Sequence, residues 1–399
     1  MPYPIKKLWE ITILITKWST PTSYWFKYLN SWVSFIKIEN ISNWKIIKDS
    51  IHCFISEEAN IFQKRSILNE WDLLISIAWT IWTVAVVNNN ILPANTNQAL
   101  AIVRWYNQYT TSNYLQFVLS SNLSKDFKDK ARWGALQNIS LEDIKNIPIP
   151  LPPLPTQKLI VQKLDESFEK IDKSIEITKK NLENLEQLNK SVLEEVFKKW
   201  EYDIKTIDDI SHNVQYWYTW KTIEKWNYKY LRITDIQDNN IIWANVPYVD
   251  ITEKESNKYK LNKWDIVFAR TWATVWKSCL IDEVWVGNVF ASYLIRIIWK
   301  QNLVNPNFMQ YFFYSKNYWE QIWLDVVWAA QPNFNWTKLK QVKIPLPPLP
   351  KQKEIVTYLD QIFEKNKSLK SEYERKLKDL EELKQSLLKE AFEWKLVKE

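Results

Sequence analysis

The sequence predicts an α+β protein in which two β-rich domains in tandem repeat are joined by two long antiparallel coiled-coil helices with pseudo-twofold symmetry. Three observations lead to this prediction. The 399-residue chain repeats itself at an offset of about 195 residues. Each copy places short β-branched and aromatic runs before a proline-rich segment, and a long heptad pattern follows that segment. The predicted parts are β-rich domains at residues 1–155 and 201–350 and helices at residues 156–200 and 351–399.

The two β-rich domains are indicated by strand-like runs that alternate with clusters of turn residues. The runs that illustrate this pattern are Val33–Ile38, Ile75–Val87, Asp265–Ala269 and Ser292–Ile298. Each domain also contains a helical stretch, near Ser112–Leu119 in the first copy and near Pro306–Trp319 in the second. The order of elements is therefore the same in both copies.

A proline-rich segment ends each domain. The letters IPIPLPPLPTQK at Ile147–Lys158 return as VKIPLPPLPKQK at Val342–Lys353. Because proline cannot continue a helix or a central strand, we interpret both segments as rigid extended connectors. A ligand for an SH3-type domain is the alternative interpretation, but duplication at equivalent places favours the connector.

A heptad repeat of apolar residues follows each proline-rich segment and predicts a coiled-coil helix. Each helix alone would expose an apolar stripe, so we expect the two helices to pair with each other. A helix of about 44 residues is about 66 Å long, which suits a spacer between two domains. Asn189 and Lys384 occupy equivalent heptad positions and are expected to fix the register. The side chains predicted to pair are Leu164, Phe168, Ile171, Ile175, Leu182, Leu185, Leu359, Phe363, Tyr373, Leu377, Leu380 and Leu387.

The charge distribution favours contact between nucleic acid and the β-rich domains. The formal net charge is +7, and residues 156–200 carry nine basic and nine acidic side chains. Residues 351–399 carry twelve basic and eleven acidic side chains. The remaining positive charge lies in the β-rich domains, as expected for surfaces that face DNA.

The cysteine and histidine counts argue against a metal-stabilised or disulfide-stabilised fold. Two cysteines and two histidines cannot form a four-ligand zinc site unless carboxylates join them. So few cysteines also indicate a reducing cytosol. The longest apolar run, Leu73–Val87, is too short to span a bilayer, and we expect a cytoplasmic protein.

Tryptophan is abnormally frequent and glycine abnormally rare. The chain has 25 tryptophans and 2 glycines, whereas an average glycine usage of about 7% would give about 28. The tryptophans occupy turn positions typical of glycine, as in IAWTIWT, ARTWATVWKS, LNEWD and LNKWD. We hypothesise that most are glycines in the natural protein, because a stop codon reassigned to glycine would be translated as tryptophan with the wrong codon table. The alternative is a truly tryptophan-rich protein; Trp243 and Trp319 lie in strand-like or helix-like contexts that suit genuine tryptophan.

With tryptophan replaced by glycine, the sequence resembles the specificity subunits of type I restriction–modification systems. The resemblance rests on ARTWATVWK, AAQPNFNWTKLKQVKIPLPPL, LDESFEKID and LLKEAFEWKL, in a duplicated order of domain, connector and helix that covers nearly the whole chain. It implies a non-catalytic subunit whose two target-recognition domains each read one half of a bipartite DNA site. The partners that the resemblance implies are double-stranded DNA, two methyltransferase subunits docked on the helices and two restriction subunits. In that assembly S-adenosylmethionine, ATP and Mg²⁺ would be bound by the partners, with no cofactor in this subunit.

No catalytic constellation is recognised in the sequence. The letters WATVWKS at Trp272–Ser278 imitate a phosphate-binding loop, but the spacing is one residue short, so a hairpin turn is favoured. The double prolines Pro152–Pro153 and Pro347–Pro348 lack the Asn or Asp that precedes them in amino-methyltransferases of DNA. A coiled-coil scaffold that binds other proteins and a degenerate methyltransferase–nuclease fusion are the alternative functions. A mobility shift with methyltransferase subunits and DNA would distinguish the scaffold from the specificity subunit.

Contacts with DNA are expected from polar side chains on loops of the two domains. Arg, Lys, Asn and Gln are the residue types that read base edges in the major groove. For each candidate the alternative is a solvated or turn-capping role. The candidates are Asn95, Gln98, Arg104, Gln137 and Asn138 in the first domain, and Arg232, Arg270, Lys277, Gln331, Asn333 and Asn335 in the second.

Overall fold

The computed structural model places the chain in two compact units, Met1–Thr178 with Arg375–Glu399, and Lys179–Glu374. We call them unit 1 and unit 2. Each unit contains one β-rich domain, part of the helix that follows that domain, and part of the other long helix. The residues described are 3–17, 19–77, 83–105, 108–121, 140–198, 202–216, 222–223, 227–237, 240–269, 277–283, 286–326 and 336–392.

The β-rich domain of unit 1 contains eleven described strands and short helices. The strands are β1 (Ile5–Lys7), β2 (Thr12–Thr16), β3 (Val33–Ile36), β4 (Ile41–Ser42), β5 (Lys45–Ile46), β6 (Phe54–Ile55), β7 (Leu73–Ser76), β8 (Val84–Val86), β9 (Ala94–Thr96), β10 (Leu100–Trp105) and β11 (Pro148–Pro150). The α-helices are α1 (Glu57–Phe62), α2 (residues 112–121) and α3 (Leu141–Lys145), with α4 (Leu154–Lys198) as the first long helix. Short 3-10 helices cover Leu8–Ile11, Pro21–Tyr24, Ile38–Asn40, Lys48–Ser50, Lys64–Ser66 and Asn89–Ile91.

Unit 1 is organised around a four-stranded antiparallel sheet in the order β2-β10-β7-β8. A second sheet, β6-β3-β9, joins β3 to β9 in parallel. One face of the first sheet packs on α2 and on the first half of α4, where Leu73, Val103, Leu115 and Phe168 share one hydrophobic core. This core fixes the β-rich domain to the long helix.

Unit 2 repeats the same order of elements. Its strands are β12 (Ile204–Thr206), β13 (Ser211–Tyr216), β14 (Thr222–Ile223), β15 (Tyr228–Leu231), β16 (Ile236–Gln237), β17 (Asn240–Ile241), β18 (Tyr248–Val249), β19 (Ile266–Ala269), β20 (Ser278–Leu280), β21 (Val289–Phe290), β22 (Leu294–Trp299) and β23 (Lys343–Pro345). Its helices are α5 (Ile207–Ile210), α6 (Glu253–Ser256), α7 (Pro306–Tyr314), α8 (Lys316–Val326), α9 (Trp336–Gln341) and the second long helix α10 (Leu349–Phe392), with 3-10 helices at Ile233–Asp235 and Trp243–Asn245.

The sheets of unit 2 match those of unit 1. The order β13-β22-β19-β20 repeats β2-β10-β7-β8, and β12 pairs with β23 as β1 pairs with β11. The strand-like run Ile75–Val87, which the sequence interrupts with a predicted turn, corresponds to the antiparallel strands β7 and β8. Strands β19 and β20 form the equivalent hairpin in unit 2, with Phe268 opposite Ser278. These strands flank the hairpin turn predicted in place of a phosphate-binding loop, and the turn itself lies outside the described residues.

The proline-rich segments differ from the predicted extended connectors. Pro148–Pro150 forms the edge strand β11, and α4 begins at Leu154, inside the proline run. The second segment divides in the same way between β23 and the start of α10 at Leu349. Proline is tolerated in both places, since an edge strand and the first turn of a helix do not need every backbone N–H. Each segment is thus a direct strand-to-helix junction.

The long helices run antiparallel within each unit. In unit 1, Lys384 Nζ on α10 hydrogen-bonds Asp172 Oδ1 on α4. In unit 2, Asn366 Nδ2 donates to Asn189 Oδ1 over 2.6 Å. Within unit 1, Ala391 lies beyond Lys384 on α10 and shares a core with Leu164, which precedes Asp172 on α4. Within unit 2, Val356 precedes Asn366 on α10 and shares a core with Phe197, which follows Asn189 on α4. In each unit the helices therefore have opposite directions. The twelve side chains predicted to pair are all buried or half-buried.

Candidate nucleic-acid interface

A four-residue turn of the same geometry precedes the strand β7 in unit 1 and the equivalent strand β19 in unit 2. The turns span residues 69–72 and 262–265, and in each the N–H of the aspartate donates to the carbonyl of the asparagine three residues earlier, over 3.1 Å. The third residue of each turn is tryptophan with a positive φ, 75° at Trp71 and 76° at Trp264. This is the geometry of a type II turn, whose third position normally requires glycine.

An ion pair between an arginine and a buried aspartate braces each turn. In unit 1, Arg104 donates from Nε and Nη2 to the two carboxylate oxygens of Asp72, over 2.7 and 2.6 Å. In unit 2, Arg296 Nε donates to Asp265 over 2.6 Å, and each residue is 2% exposed. The hydrogen bonds that Arg104 donates to Asp72 raise the pKa of Arg104, while burial raises the pKa of the Asp265 carboxyl. The two pairs hold the entrance to β7 and β19 in a fixed conformation.

The two arginines come from different positions of equivalent strands. Arg296 lies opposite Val267, whereas the residue opposite the equivalent Leu74 is Ile102. Arg104 lies two residues further along β10 and still reaches the equivalent aspartate. A constant sequence offset does not align these arginines, so our sequence analysis did not identify Arg296. Arg104 stabilises the turn, and its contact with DNA stays a prediction.

The expectation that Asn95 contacts DNA is wrong. Its side chain in β9 is 0% exposed, and its Nδ2 donates to Asn60 Oδ1 over 2.8 Å. Its Oδ1 accepts the backbone N–H of Thr96, also over 2.8 Å. Asn95 therefore fastens α1 to the parallel sheet, because a buried amide must find partners within the fold.

Three further candidates lie at or near the surface. Gln98 is exposed, and its Oε1 accepts hydrogen bonds from the N–H and hydroxyl of Thr20, each over 3.2 Å. Arg232 is half-buried and pairs with Asp235, whose carboxylate raises the pKa of the guanidinium. Lys277 is half-buried just before β20. Their contact with DNA stays a prediction. The remaining candidates, Gln137, Asn138, Arg270, Gln331, Asn333 and Asn335, lie outside the described residues.

The junction between each domain and the long helices contains residues that the sequence analysis missed. The end of α10 enters the core of unit 1, where the Phe392 ring lies 5.8 Å from that of Tyr114. The end of α4 enters the core of unit 2, where the Phe197 ring lies 5.3 Å from that of Phe308. The repeat offset of 195 residues pairs Phe197 with Phe392, but only the structure shows that both anchor a helix end in a core.

The described parts of the chain offer no group of three His, Cys, Asp or Glu side chains arranged to hold a metal ion. Within the same parts, no helix has the length and apolar character needed to cross a membrane. The geometry presents two braced sheets, each anchored to a pair of helices.

The comparison with known families is decisive. The family described as the type I restriction modification DNA specificity domain matches twice, over residues 15–187 and 198–379. The chain belongs to this family. The first match begins in β2 and ends in α4, and the second begins at the last residue of α4 and ends in α10. Each copy of the repeat is therefore one DNA specificity domain.

Relatives and solved structures agree with this assignment. The chain is 25% identical to the specificity subunit of the type I restriction enzyme StySPI from Salmonella potsdam, over 72% of this chain and 66% of that protein. It thus spans about two thirds of the length of that relative. Its fold is similar to a chain in a structure of a type I R-M system studied for its assembly and conformational transition, with a TM-score of 0.78, 17% identity and 98% of both chains covered. It is also similar to the HsdS subunit from Thermoanaerobacter tengcongensis, with a TM-score of 0.61, 18% identity and coverage of 99% and 98%.

Proposed function

We propose that this chain is the DNA-recognising specificity subunit of a type I restriction–modification complex. The observation that carries the proposal is the duplication: two DNA specificity domains, each of which extends into a long helix, lie in one chain. Each domain would read one half of a bipartite site, and the helices would separate the two halves. Such a complex acts on DNA inside the cell, so we place it in the cytoplasm.

We propose that catalysis belongs to partner subunits, two for methylation and two for restriction. These partners would bind S-adenosylmethionine, ATP and Mg²⁺, while this chain supplies the target sequence. The long helices offer equivalent docking points: Leu188 and Leu383 are 195 residues apart and are 48% and 46% exposed. A single exposed leucine is ordinary, but a leucine exposed at the same place in both copies suits a contact made twice, once with each methyltransferase subunit.

Reconstitution tests this division of labour. Methyl transfer from S-adenosylmethionine to DNA should require both this chain and its methyltransferase partner, and neither alone should suffice. Methylation by the isolated chain would overturn the non-catalytic role. Sequence-independent methylation by the partner alone, unchanged when this chain is added, would overturn the recognition role.

We also propose that most of the tryptophans are glycines in the natural protein. Of the six non-glycine residues described with a positive φ, five are tryptophan: Trp25, Trp32, Trp44, Trp71 and Trp264. A side chain with a Cβ is strained in this conformation, and glycine is not. The concentration of tryptophan at these positions supports recoding.

The clearest such position is the β4–β5 hairpin. Ser42 pairs with Lys45, so the loop has two residues, Asn43 and Trp44, with φ of 47° and 61°. Two positive values identify a type I′ turn, for which Asn-Gly is the preferred sequence. Glycine in place of Trp44 therefore makes this turn an ordinary Asn-Gly hairpin.

A further inference from the structure

A buried glutamine stands at the start of each long helix. In unit 1, the Gln157 side chain is 0% exposed, and its Nε2 donates to the carbonyls of Tyr109 and Pro152, each over 2.9 Å. Its Oε1 accepts the hydroxyl of Thr110, also over 2.9 Å. One amide thus connects the first turn of α4, the proline-rich segment and the loop that leads into α2.

The second copy has the same arrangement. The Gln352 side chain is 0% exposed, and its Nε2 donates to the carbonyls of Leu303 and Pro347 over 2.9 and 2.8 Å. Its Oε1 accepts the backbone N–H of Asn305 over 2.8 Å. The loop that it contacts leads into α7, the helix equivalent to α2. We call Gln157 and Gln352 the hinge glutamines.

The hinge glutamines differ from ordinary packing contacts because they fix an angle. Each amide makes three directional hydrogen bonds to two separate segments, the loop before the domain helix and the proline-rich segment, and together these bonds define one orientation. Loss of the amide would remove the donor from one buried carbonyl in each unit, that of Pro152 or Pro347, and a buried carbonyl without its donor carries a desolvation cost. Each long helix is therefore joined to its β-rich domain by a stiff junction.

We propose that the hinge glutamines are positioning residues that set which spacer length between the two DNA half-sites is accepted. This inference rests on the proposed function. A spacer longer by one base pair moves the second half-site by about 3.4 Å and rotates it by roughly 34° about the DNA axis. A stiff junction resists that rotation, and a loose junction absorbs it. The glutamines are not expected to contact a DNA base; they act by fixing the angle between each β-rich domain and its long helix.

The experiment uses Gln157→Met and Gln352→Met, singly and together, because methionine keeps the side-chain length and loses the amide. The matched controls are Gln162→Met and Gln361→Met, which change exposed glutamines on the same two helices. Each full chain is combined with its methyltransferase partner. Methyl transfer is then measured on duplexes that carry the native half-sites with the native spacer and with spacers one base pair longer or shorter.

We expect the double variant to lose about tenfold of its preference for the native spacer, which corresponds to about 1.4 kcal/mol. Discrimination against a single base change inside either half-site should equal that of the unaltered chain. In the control variants, both the spacer preference and the half-site discrimination should be unchanged. A lower unfolding temperature with an unchanged spacer preference would overturn the proposal and leave the glutamines a purely structural role. Equal loss of spacer and half-site discrimination would also overturn it.

A second measurement separates this inference from the proposed function. Spin labels at Glu58 and Glu176, both exposed and both in unit 1, report the angle between the domain and α4. The labels are attached to cysteines that replace Glu58 and Glu176, in a chain whose own cysteines are removed by Cys53→Ser and Cys279→Ala. The distance distribution should be narrow with Gln157 and clearly broader with Gln157→Met, whether or not the chain recognises a bipartite site. An unchanged distribution would contradict the stiff junction even if the chain proves to be a specificity subunit.

Discussion

Lys384 on α10 hydrogen-bonds Asp172 on α4, and the lysine is 5% exposed. The residue equivalent to Lys384 in the other helix is Asn189, which is bonded to the amide of Asn366 instead. If two copies of α10 paired in the same antiparallel way, Lys384 would face Asn366 and lie near Lys367, with no carboxylate at that position. The buried ammonium group therefore favours the pairing of α4 with α10 over the pairing of α10 with a second copy of itself.

Replacement of Asp172 by alanine tests this polar contact. The Lys384 ammonium would remain buried beside Phe168, at 5.8 Å from the ring centroid, without its carboxylate. We expect a loss of about 1–3 kcal/mol in the free energy of unfolding, measured in urea. Glu169→Ala, an exposed position one turn earlier on α4, is the control and should change the free energy of unfolding by much less. An equal effect of the two variants would contradict the role given to Asp172.

The recoding proposal can be tested on the natural protein by its sequence and on a recombinant protein by its stability. Peptide mass spectrometry of native material should find glycine at Trp71 and Trp264, and also at Trp79, Trp82, Trp272 and Trp276. In a recombinant chain that carries tryptophan, Trp71→Gly should raise the stability by about 1–2 kcal/mol through relief of the left-handed strain. Trp319→Gly, in the helix α8, should instead lower it by about 1 kcal/mol or more. Tryptophan at all six turn positions of the native protein would sink the recoding proposal.

The helices should act as a spacer of fixed length. Because Asn189 faces Asn366, an added heptad keeps the register only when it is inserted at facing places, after Leu185 and after Lys370. Seven residues add roughly 10 Å, or about three base pairs, and tilt of the helices against the DNA would reduce this. We expect a spacer longer by one to three base pairs with unchanged half-sites. A four-residue insertion after Leu185 alone should disrupt pairing first, and an active double-heptad variant with the native spacer would refute the spacer role.

The equivalent leucines on the outer helix surfaces should bind the methyltransferase partner. Leu188→Glu and Leu383→Glu remove exposed apolar area and add charge, and each should weaken partner binding by about 10–100-fold, the value of one buried leucine. Lys190→Glu, also exposed on α4, is the control. Co-elution on a sizing column and titration calorimetry measure the effect. Unchanged affinity in the double variant would show that the partner docks elsewhere.

The repeat made the architecture predictable from the sequence. A constant offset revealed two copies, and the heptads revealed the helices, because both are periodic signals that need no tertiary information. The proline-rich segments were harder to interpret, since the same prolines fit an extended connector, an edge strand or the first turn of a helix. Only the pairing of Pro150 with Ile5 and the helix start at Leu154 distinguish these states.

Site residues were less predictable because polar side chains have competing uses. Asn95 has the chemistry to read a base, yet it hydrogen-bonds Asn60 inside the domain. Arg296 has an equally important partner in Asp265, but it comes from a strand position that the repeat offset does not match. The hinge glutamines lie in the repeated proline-rich segments, which are easy to recognise in the sequence. Their role could not be predicted because their hydrogen-bond partners lie in loops nearly fifty residues earlier in the chain.

Methylome sequencing tests the central claim most directly. Cells that carry this chain with its methyltransferase partner should contain one methylated motif with two half-sites separated by a fixed spacer. Replacement of residues 1–150 by the equivalent domain of another specificity subunit should change one half-site and leave the other half-site and the spacer intact, since each domain has its own sheet and core. An uninterrupted methylated motif, or a change in both half-sites after replacement of one domain, would contradict two independent recognition domains in one chain.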